Sequence, residues 1–282
     1  MKSEKEKNTI AQLTEMAGRV DEARKWKNLS EYLLFLRHKK AYVFAEPYCE
    51  NQVVLDYGCG HGYGSFLLAQ KAAKVFAVDI NREVIGECIQ RYHADNLFFG
   101  TFEPEMPLHF EAGTFGVAIS FQVIEHVLDV RGYLNELKRL LKQNGILILT
   151  TPNRKHRLFP FQKPTNPYHL REYSLRQLAK DLNAVFDSVI IYGVTGTDEI
   201  NSVEFARINR SPFKAYVKMP IKRFLGPRRS ESLSSKMIHI NNTRKAFGLE
   251  KESFGQYSVC DFSILKGNVE KGLDFLAILR KQ

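Results

Sequence analysis

The sequence has few cysteines and no long apolar run. Its 282 residues include four cysteines, and no two of them have the Cys-x-x-Cys spacing of a zinc knuckle or the density of a disulfide framework. No stretch approaches the roughly 18 apolar residues of a membrane-spanning helix, and the first residues lack the apolar segment of a secretory signal. We therefore expect free thiols and a cytoplasmic protein that is at most peripheral at a membrane.

The excess of positive charge lies in one segment. The formal net charge is +10, and residues 207–245 contain eleven basic residues and one acidic residue, which accounts for all of it. Residues 211–226 interleave apolar and basic side chains, a pattern typical of a surface that binds a membrane peripherally or covers an anionic substrate. A solvated insert is the simpler alternative, and nucleic acid is the less favoured partner.

Strands and helices alternate along the middle of the chain. Apolar runs predict strands at 53–55, 75–78, 97–99, 116–120 and 146–150, with helices at 63–72, 82–92 and 128–142 between them. A helix at 174–182, capped by Ser174, and strands at 186–192 and 273–279 follow. This alternation indicates βαβ units and a parallel sheet whose ligands bind at the carboxyl ends of the strands.

We therefore predict a doubly wound α/β fold with a mostly parallel, seven-stranded sheet. The chain divides into an N-terminal helical cover (1–50), whose helix is predicted to end at Pro47, and a core (51–195) that binds the ligand. A basic insert without predicted regular structure (196–258) and a C-terminal return to the sheet (259–282) complete it.

The strongest signal is the glycine-rich turn Asp56-x-Gly58-x-Gly60-x-Gly62, which directly follows the first predicted strand. Glycines let the backbone turn sharply there and approach a ligand closely. Asp79 ends the second predicted strand, where a carboxylate can accept hydrogen bonds from both hydroxyls of a ribose. The dinucleotide pattern Gly-x-Gly-x-x-Gly and the phosphate-binding Gly-Lys-Ser/Thr do not occur at this turn, and an acid inside it favours a cationic ligand.

On these residues the sequence resembles the class I S-adenosylmethionine-dependent methyltransferases. The turn matches their first motif and Asp79 matches their second-strand acid. Residues 119–129 (ISFQVIEHVLD) resemble the motif after their fourth strand, with Glu125-His126 as in the branch of ubiquinone-type O-methyltransferases, and residues 145–153 resemble their fifth strand. The resemblance implies a Rossmann-like methyltransferase fold and S-adenosyl-L-methionine as the cofactor.

The resemblance also implies where the cofactor binds. The turn would hold its methionine part, with Asp56 acting directly or through water, and Asp79 would bind the ribose. Phe121 would lie beside the amino group of the cofactor, and Thr101 stands where the family often has an aspartate at the adenine. The implied cofactor-binding residues are thus Asp56, Gly58, Cys59, Gly60, Gly62, Asp79, Ile80, Thr101 and Phe121.

Methyl transfer to an oxygen needs a general base when the acceptor must lose a proton, and the candidates are His126, His169 and Glu172. The ubiquinone-type branch has Glu-x-x-Glu-His at 122–126, associated with a divalent metal. Here Gln122 replaces the first glutamate, and the loss of a carboxylate weakens the binding of a hard cation, so we expect no metal. The alternative role of His126 is to order its loop.

The segment 166–174, NPYHLREYS, resembles the acceptor-binding loop of that branch. His169 and Glu172 are three residues apart and could face one pocket, walled by Tyr168 and Tyr173. We interpret His169 as a base or as a residue that orients the acceptor. The alternative is a histidine that forms hydrogen bonds within the loop and takes no part in the chemistry.

The residues after the fourth predicted strand exclude some classes of methyl acceptor. Ser120-Phe121-Gln122-Val123 lacks the Pro-Pro-aromatic signature with which this fold usually methylates amino groups of adenine or cytosine, and no Pro-Cys or Thr-Cys pair near the strand ends supplies a nucleophile for carbon methylation. We therefore predict O-methylation of a small molecule, a sugar or a lipid-linked intermediate. An RNA methyltransferase and a non-catalytic S-adenosylmethionine-binding protein are the alternatives.

Overall fold

The computed structural model describes residues 26, 28–104, 106–159, 161–208 and 254–282. The strands are β1 (Val53–Tyr57), β2 (Lys74–Asp79), β3 (Leu97–Thr101), β4 (Phe115–Phe121), β5 (Leu141–Pro152), β6 (Ser188–Gly196), β7 (Phe262–Leu265) and β8 (Asp274–Arg280). The α-helices are α1 (Leu29–Cys49), α2 (Tyr63–Ala69), α3 (Arg82–Arg91), α4 (Val130–Leu140), α5 (Arg154–Arg157), α6 (Leu175–Asn183) and α7 (Asp198–Ile208).

All the strands of the described residues join one sheet in the order β3-β2-β1-β4-β5-β8-β6-β7. Strands β1 to β5 pair in parallel, whereas β8 runs antiparallel to both β5 and β6. The predicted doubly wound, mostly parallel fold is confirmed. The sheet has eight strands where seven were predicted, because Phe262–Leu265 pairs antiparallel with the outer edge of β6.

Helices cover both faces of the sheet. Neighbouring strand residues point to opposite faces, so Val54 packs on one side with Leu33, Leu68 and Ile85 of α1, α2 and α3. Leu55 packs on the other side, in the cluster that contains Leu134 and Leu137 of α4 and Leu178 and Leu182 of α6. Burial on both faces explains why the central strands are apolar throughout instead of alternating.

The helix boundaries follow local chemistry. Ser174 caps α6 as predicted, and it forms a capping box with Gln177. Helix α1 continues through Pro47 to Cys49 instead of ending at the proline. The helix α7 falls in the segment predicted to be irregular, because one of its buried residues is the charged Glu204, which hides the apolar periodicity.

Two other sequence expectations concern the described residues. The cysteines Cys49, Cys59, Cys88 and Cys260 are free. Among the described residues, no helix has both the length and the apolar character needed to cross a membrane. The interleaved stretch 211–226 lies outside the described residues.

Candidate active site

A cavity of about 670 Å³ opens at the carboxyl edge of the parallel strands, where an α/β sheet binds its ligands. Its walls come from the turn after β1, the end of β2, the segment after β4, helix α1 and the loop between α5 and α6. The predicted site residues that line it are Gly58, Cys59, Gly60, Asp79, Ile80, Phe121, His126 and His169.

The glycine turn has a backbone that side chains would not allow. Gly58 has φ +82°, and a Cβ there would lie 2.5 Å from Cγ2 of Val123. The turn is also fixed to the neighbouring strand, because the N–H groups of Gly58 and Cys59 both donate to the carbonyl oxygen of Val78, at 2.8 and 3.1 Å. These two hydrogen bonds fix the backbone of the turn on the cavity wall.

Asp79 joins the turn to the end of β2. Its Oδ2 accepts from the N–H of Gly60 at 3.0 Å and its Oδ1 accepts from the N–H of Asn81 at 3.0 Å. Burial raises the pKa of Asp79, and these backbone donors oppose that shift. The carboxyl group thus lies on the cavity wall at the position predicted for ribose binding.

Asp56 lies beneath the turn and off the cavity wall. It is fully buried, and it accepts from Ser65 Oγ at 2.7 Å and from the hydroxyl of Tyr42 at 3.2 Å. Burial raises the pKa of this carboxyl to about 7. Its contacts therefore connect β1 to helices α1 and α2, beneath the turn that would hold the cofactor.

Two other predicted residues also lie off the wall. Gly62 caps α2 with φ +75°, and the side chain of Thr101 is exposed to solvent outside the cavity. The next residue, Phe102, lines the cavity instead. Neighbouring side chains of an extended segment point in opposite directions. The side chain of Phe102 therefore faces the cavity, and the side chain of Thr101 faces away from it.

Helix α1 supplies a wall that the sequence did not identify. Leu34, Arg37, His38 and Tyr42 line the cavity, and the ring of Tyr42 meets that of Phe121 edge to face at 4.8 Å between centroids. The sequence does carry a signal for this wall, since polar residues interrupt an otherwise apolar helical run. Helix α1 is therefore part of the candidate site.

The second half of the cavity holds a cluster around two histidines. The rings of His126 and His169 lie perpendicular to each other, with centroids 4.7 Å apart. Nδ1 of His126 lies 3.0 Å from the carbonyl oxygen of Tyr168, and Nδ1 of His169 lies 3.2 Å from Oε1 of Glu172. A carbonyl oxygen only accepts, so Nδ1 of His126 carries a proton.

Glu172 lies behind His169, not on the cavity wall. Its Oε1 also accepts from Nε of Arg157 at 3.1 Å, and its side chain is inaccessible to solvent. Burial tends to raise the pKa of Glu172, but the hydrogen bonds and charges of His169 and Arg157 outweigh it and lower the pKa. Tyr168 lines the cavity, whereas Tyr173 is buried in the core.

Glu125 anchors the loop that carries His169. Its backbone oxygen accepts from the N–H of Leu170 at 2.9 Å, and its Oε2 accepts from Thr151 Oγ1 at 3.0 Å. Burial raises the pKa of Glu125 to about 8. The pKa of His126 falls to about 4 because of burial and the adjacent His169, so this imidazole is neutral at pH 7.

The residues present fit a divalent cation. Glu125, His126 and His169 each offer a ligand atom, and these atoms all lie within 4.8 Å of one another. The sequence reasoning missed the group because His169 lies 43 residues beyond His126 and reaches it through the loop. Arg157 was missed as well, since its part in the cluster depends on the same fold of the loop.

The model of one protein family matches more than half of the chain. The methyltransferase domain family matches residues 16–185. A probable S-adenosylmethionine-dependent methyltransferase of Mycobacterium tuberculosis is 34% identical over 161 residues, which is 57% of this chain and 58% of that one. A ubiquinone biosynthesis O-methyltransferase of Caulobacter vibrioides is 33% identical over 125 residues, 43% of this chain and 49% of that one.

The fold has solved counterparts. The crystal structure of an S-adenosylmethionine-dependent methyltransferase from Mesorhizobium loti superposes with a TM-score of 0.53 at 13% sequence identity, covering 88% of this chain and all of that one. At this identity the likeness shows a shared fold. The chain spans about half to three fifths of the length of the curated relatives described above.

Proposed function

The chain belongs to the methyltransferase domain family, and from that premise we propose that it transfers the methyl group of S-adenosylmethionine to a hydroxyl oxygen of a small molecule, a sugar or a lipid-linked intermediate. The resemblance to class I S-adenosylmethionine-dependent methyltransferases is confirmed by the family match, and S-adenosylmethionine is the cofactor that this family uses. The activity of the whole protein and its acceptor are our proposals.

The cofactor half of the cavity supports this function. The glycine turn and Phe121 offer a surface for the methionine part, and the carboxyl of Asp79 faces the space where a ribose would bind. Phe102 and Asn81 extend the same wall toward the base. The bound cofactor would therefore place its sulfonium inside the cavity that also contains the two histidines.

The observation that carries the proposal is that His126 and His169 line the same cavity as the turn and Asp79. An acceptor hydroxyl beside these imidazoles can attack the methyl carbon in line with the breaking carbon–sulfur bond, whose electrons remain on sulfur as S-adenosylhomocysteine forms. Nδ1 of His169 is held by Glu172, which leaves Nε2 to orient the hydroxyl or to take its proton.

Transfer to oxygen is favoured over other acceptors on two grounds. One relative carries the name of a ubiquinone biosynthesis O-methyltransferase, and His169, whose Nδ1 faces the carboxylate of Glu172, can accept a hydroxyl proton at Nε2. We further propose that the basic segment 207–245 contacts an anionic membrane peripherally, which would bring a lipid-linked acceptor to the cavity.

Two measurements test the function. Calorimetry should show S-adenosylmethionine binding to the wild type and at least a tenfold weaker binding to Asp79→Ala, because the ribose loses hydrogen bonds to a charged group. Asp95→Ala, a change at an exposed aspartate, is the matched control. Failure of the wild type to bind the cofactor would overturn the proposal.

Release of S-adenosylhomocysteine with extract fractions then tests turnover. We expect release with a fraction of hydroxyl-bearing small molecules or lipids, and loss of that release in His169→Ala. Release that disappears on ribonuclease treatment would assign an RNA acceptor instead. Cofactor binding without release from any fraction would assign a non-catalytic binding protein.

A further inference from the structure

We propose that Glu125, His126 and His169 form a binding site for one divalent cation, and that its two-histidine, one-carboxylate ligand set selects Zn²⁺ or Co²⁺ over Mg²⁺. The proposal concerns a site within the cavity described above, but its test needs neither the cofactor nor a methyl acceptor.

The three side chains are close enough to share an ion. Two ligands that each lie about 2.1 Å from a bound ion are at most about 4.2 Å apart, and the candidate ligand atoms lie within 4.8 Å of one another. Small side-chain rotations close the difference. All three residues also line the cavity, so an ion and a ligand of the cavity would be in reach of each other.

Each histidine has the second contact that is typical of a metal ligand. A metal-binding imidazole almost always donates its other ring N–H to a carbonyl or a carboxylate, which fixes the ring and its tautomer. Nδ1 of His126 faces the carbonyl oxygen of Tyr168, and Nδ1 of His169 faces the carboxylate of Glu172. Both rings therefore have Nε2 as the nitrogen left for an ion.

Arg157 also helps to hold His169 in position, through Glu172. Arg157 donates to the same oxygen of Glu172 that faces His169, so the carboxylate stays ionised and keeps its orientation. Arg157, Glu172 and His169 thus form a chain of guanidinium, carboxylate and imidazole. It is the arrangement that holds a metal ligand in one position.

Glu125 has an oxygen that the described residues leave unsatisfied. Its Oε2 accepts from Thr151, but its Oε1 is buried and has no hydrogen-bond partner among the described residues. A buried carboxylate oxygen without a partner costs free energy. A cation bound beside it would offset that cost.

The ligand set decides which ion is selected. Gln122 does not restore the missing carboxylate, because an amide oxygen carries no negative charge, and its amide nitrogen donates to Thr150 Oγ1 at 3.1 Å. His169 from the loop supplies the third ligand, so the set has two nitrogens and one oxygen. Mg²⁺ prefers oxygen ligands in octahedral geometry, whereas imidazoles with one carboxylate suit Zn²⁺ and its neighbours.

A bound ion would supply Lewis-acid activation of an oxygen of the acceptor at its open position. His169 would then act by holding the ion and not by taking the proton. Glu172 and Arg157 keep the same positioning role in both cases.

The test uses the untagged 282-residue chain, stripped of metal by a chelator, with Co²⁺ as the probe. We expect one Co²⁺ per chain by calorimetry, visible absorption bands of a Co²⁺ ion with nitrogen ligands, and displacement by Zn²⁺ but not by millimolar Mg²⁺. His169→Ala and Glu125→Gln should each weaken Co²⁺ binding by at least about tenfold. His93→Ala, a change at an exposed histidine away from the cavity wall, should leave it unchanged.

Several results would overturn the proposal. They are the lack of saturable one-to-one Co²⁺ binding by the wild type, displacement by Mg²⁺ as readily as by Zn²⁺, or wild-type affinity in His169→Ala. S-adenosylmethionine binding by each variant shows that it is folded, and His126→Gln replaces any variant that fails this check. A protein that binds Co²⁺ but releases no S-adenosylhomocysteine would refute the proposed function and leave the metal site standing.

Discussion

At the scale of single residues, the most informative group is the carboxyl of Asp56. The sequence placed it in the cofactor turn, and the structure places it under the turn with Tyr42 and Ser65 as partners. Its pKa is about 7, against the usual 3.8, because burial disfavours the charged form. A residue that would hold the cofactor directly and one that supports the turn look the same in a sequence, since both need an acid at that position.

This buried carboxyl makes stability depend on pH. A group whose pKa is raised by folding binds its proton more tightly in the folded chain, so its contribution to the free energy of unfolding is greatest in acid. That contribution is lost as the pH rises from about 4 to above 7. Each pKa unit corresponds to about 1.4 kcal/mol, so the loss amounts to a few kcal/mol.

Asp56→Asn should therefore gain stability relative to the wild type as the pH rises. We expect the difference in free energy of unfolding between variant and wild type, measured in urea at pH 4 to 8, to grow across this range. Asp95→Asn changes the net charge equally at an exposed position and serves as the control. A difference for Asp56→Asn that is the same at every pH would contradict the assignment.

At the scale of elements, α1 is fixed to the rest of the molecule by a buried ion-pair cluster. Nε of Arg37 lies 2.9 Å from Oδ2 of Asp274 in β8, and its Nη1 contacts Oε2 of Glu204 in α7. The three side chains are almost inaccessible to solvent. Arg37 also lines the cavity, so the cluster sets the position of the wall that α1 provides.

Removing one partner of a buried ion pair leaves an uncompensated charge, which typically costs about 3–5 kcal/mol. We expect Arg37→Met to lower the free energy of unfolding by about that amount in urea titrations, and Lys40→Met on the same helix to change it little. Adding Glu204→Gln and Asp274→Asn to Arg37→Met should recover part of the loss. A triple variant less stable than Arg37→Met would contradict this account.

The helices and strands also show how much of the fold could be predicted from the sequence. The apolar runs located β1 to β5, and Asp79 at the end of β2 lies on the cavity wall because the strand ends meet at one edge. The strand β7 has four residues and carries no pattern that separates it from a loop. Strand β5 begins at Leu141, earlier than predicted, since Leu141 pairs with Phe115 across an irregularity in the register.

The candidate site was predictable where local motifs carry it, as at Gly58 and Asp79. It was not predictable where long-range contacts assemble it. Arg37 meets a residue 167 positions away in Glu204, and no local pattern encodes such a contact. The same holds for His126 and His169, whose proximity depends on how the loop folds onto Glu125.

At the scale of the whole molecule, the excess of positive charge is separate in sequence from the residues described at the cavity. The formal net charge of +10 is carried by residues 207–245, and the described residues that line the cavity all lie before this segment. Helix α7 leads into the segment and contacts α1 through Glu204. Binding of a partner by the basic segment and binding of the cofactor should therefore be separable by mutation.

Mutation of the basic segment tests whether membrane binding and cofactor binding are separable. Lys214, Lys218 and Lys222 recur every four residues, and each basic residue near an anionic surface contributes about 1 kcal/mol of binding. Reversing all three to glutamate should weaken co-sedimentation with phosphatidylserine vesicles by about 100-fold or more, while S-adenosylmethionine affinity stays at the wild-type value. The control reverses three exposed lysines elsewhere, Lys71, Lys180 and Lys266, and should retain most of the vesicle binding. Equal losses in both variants would point to net charge alone, and salt-sensitive binding to RNA without vesicle binding by the wild type would refute the membrane contact.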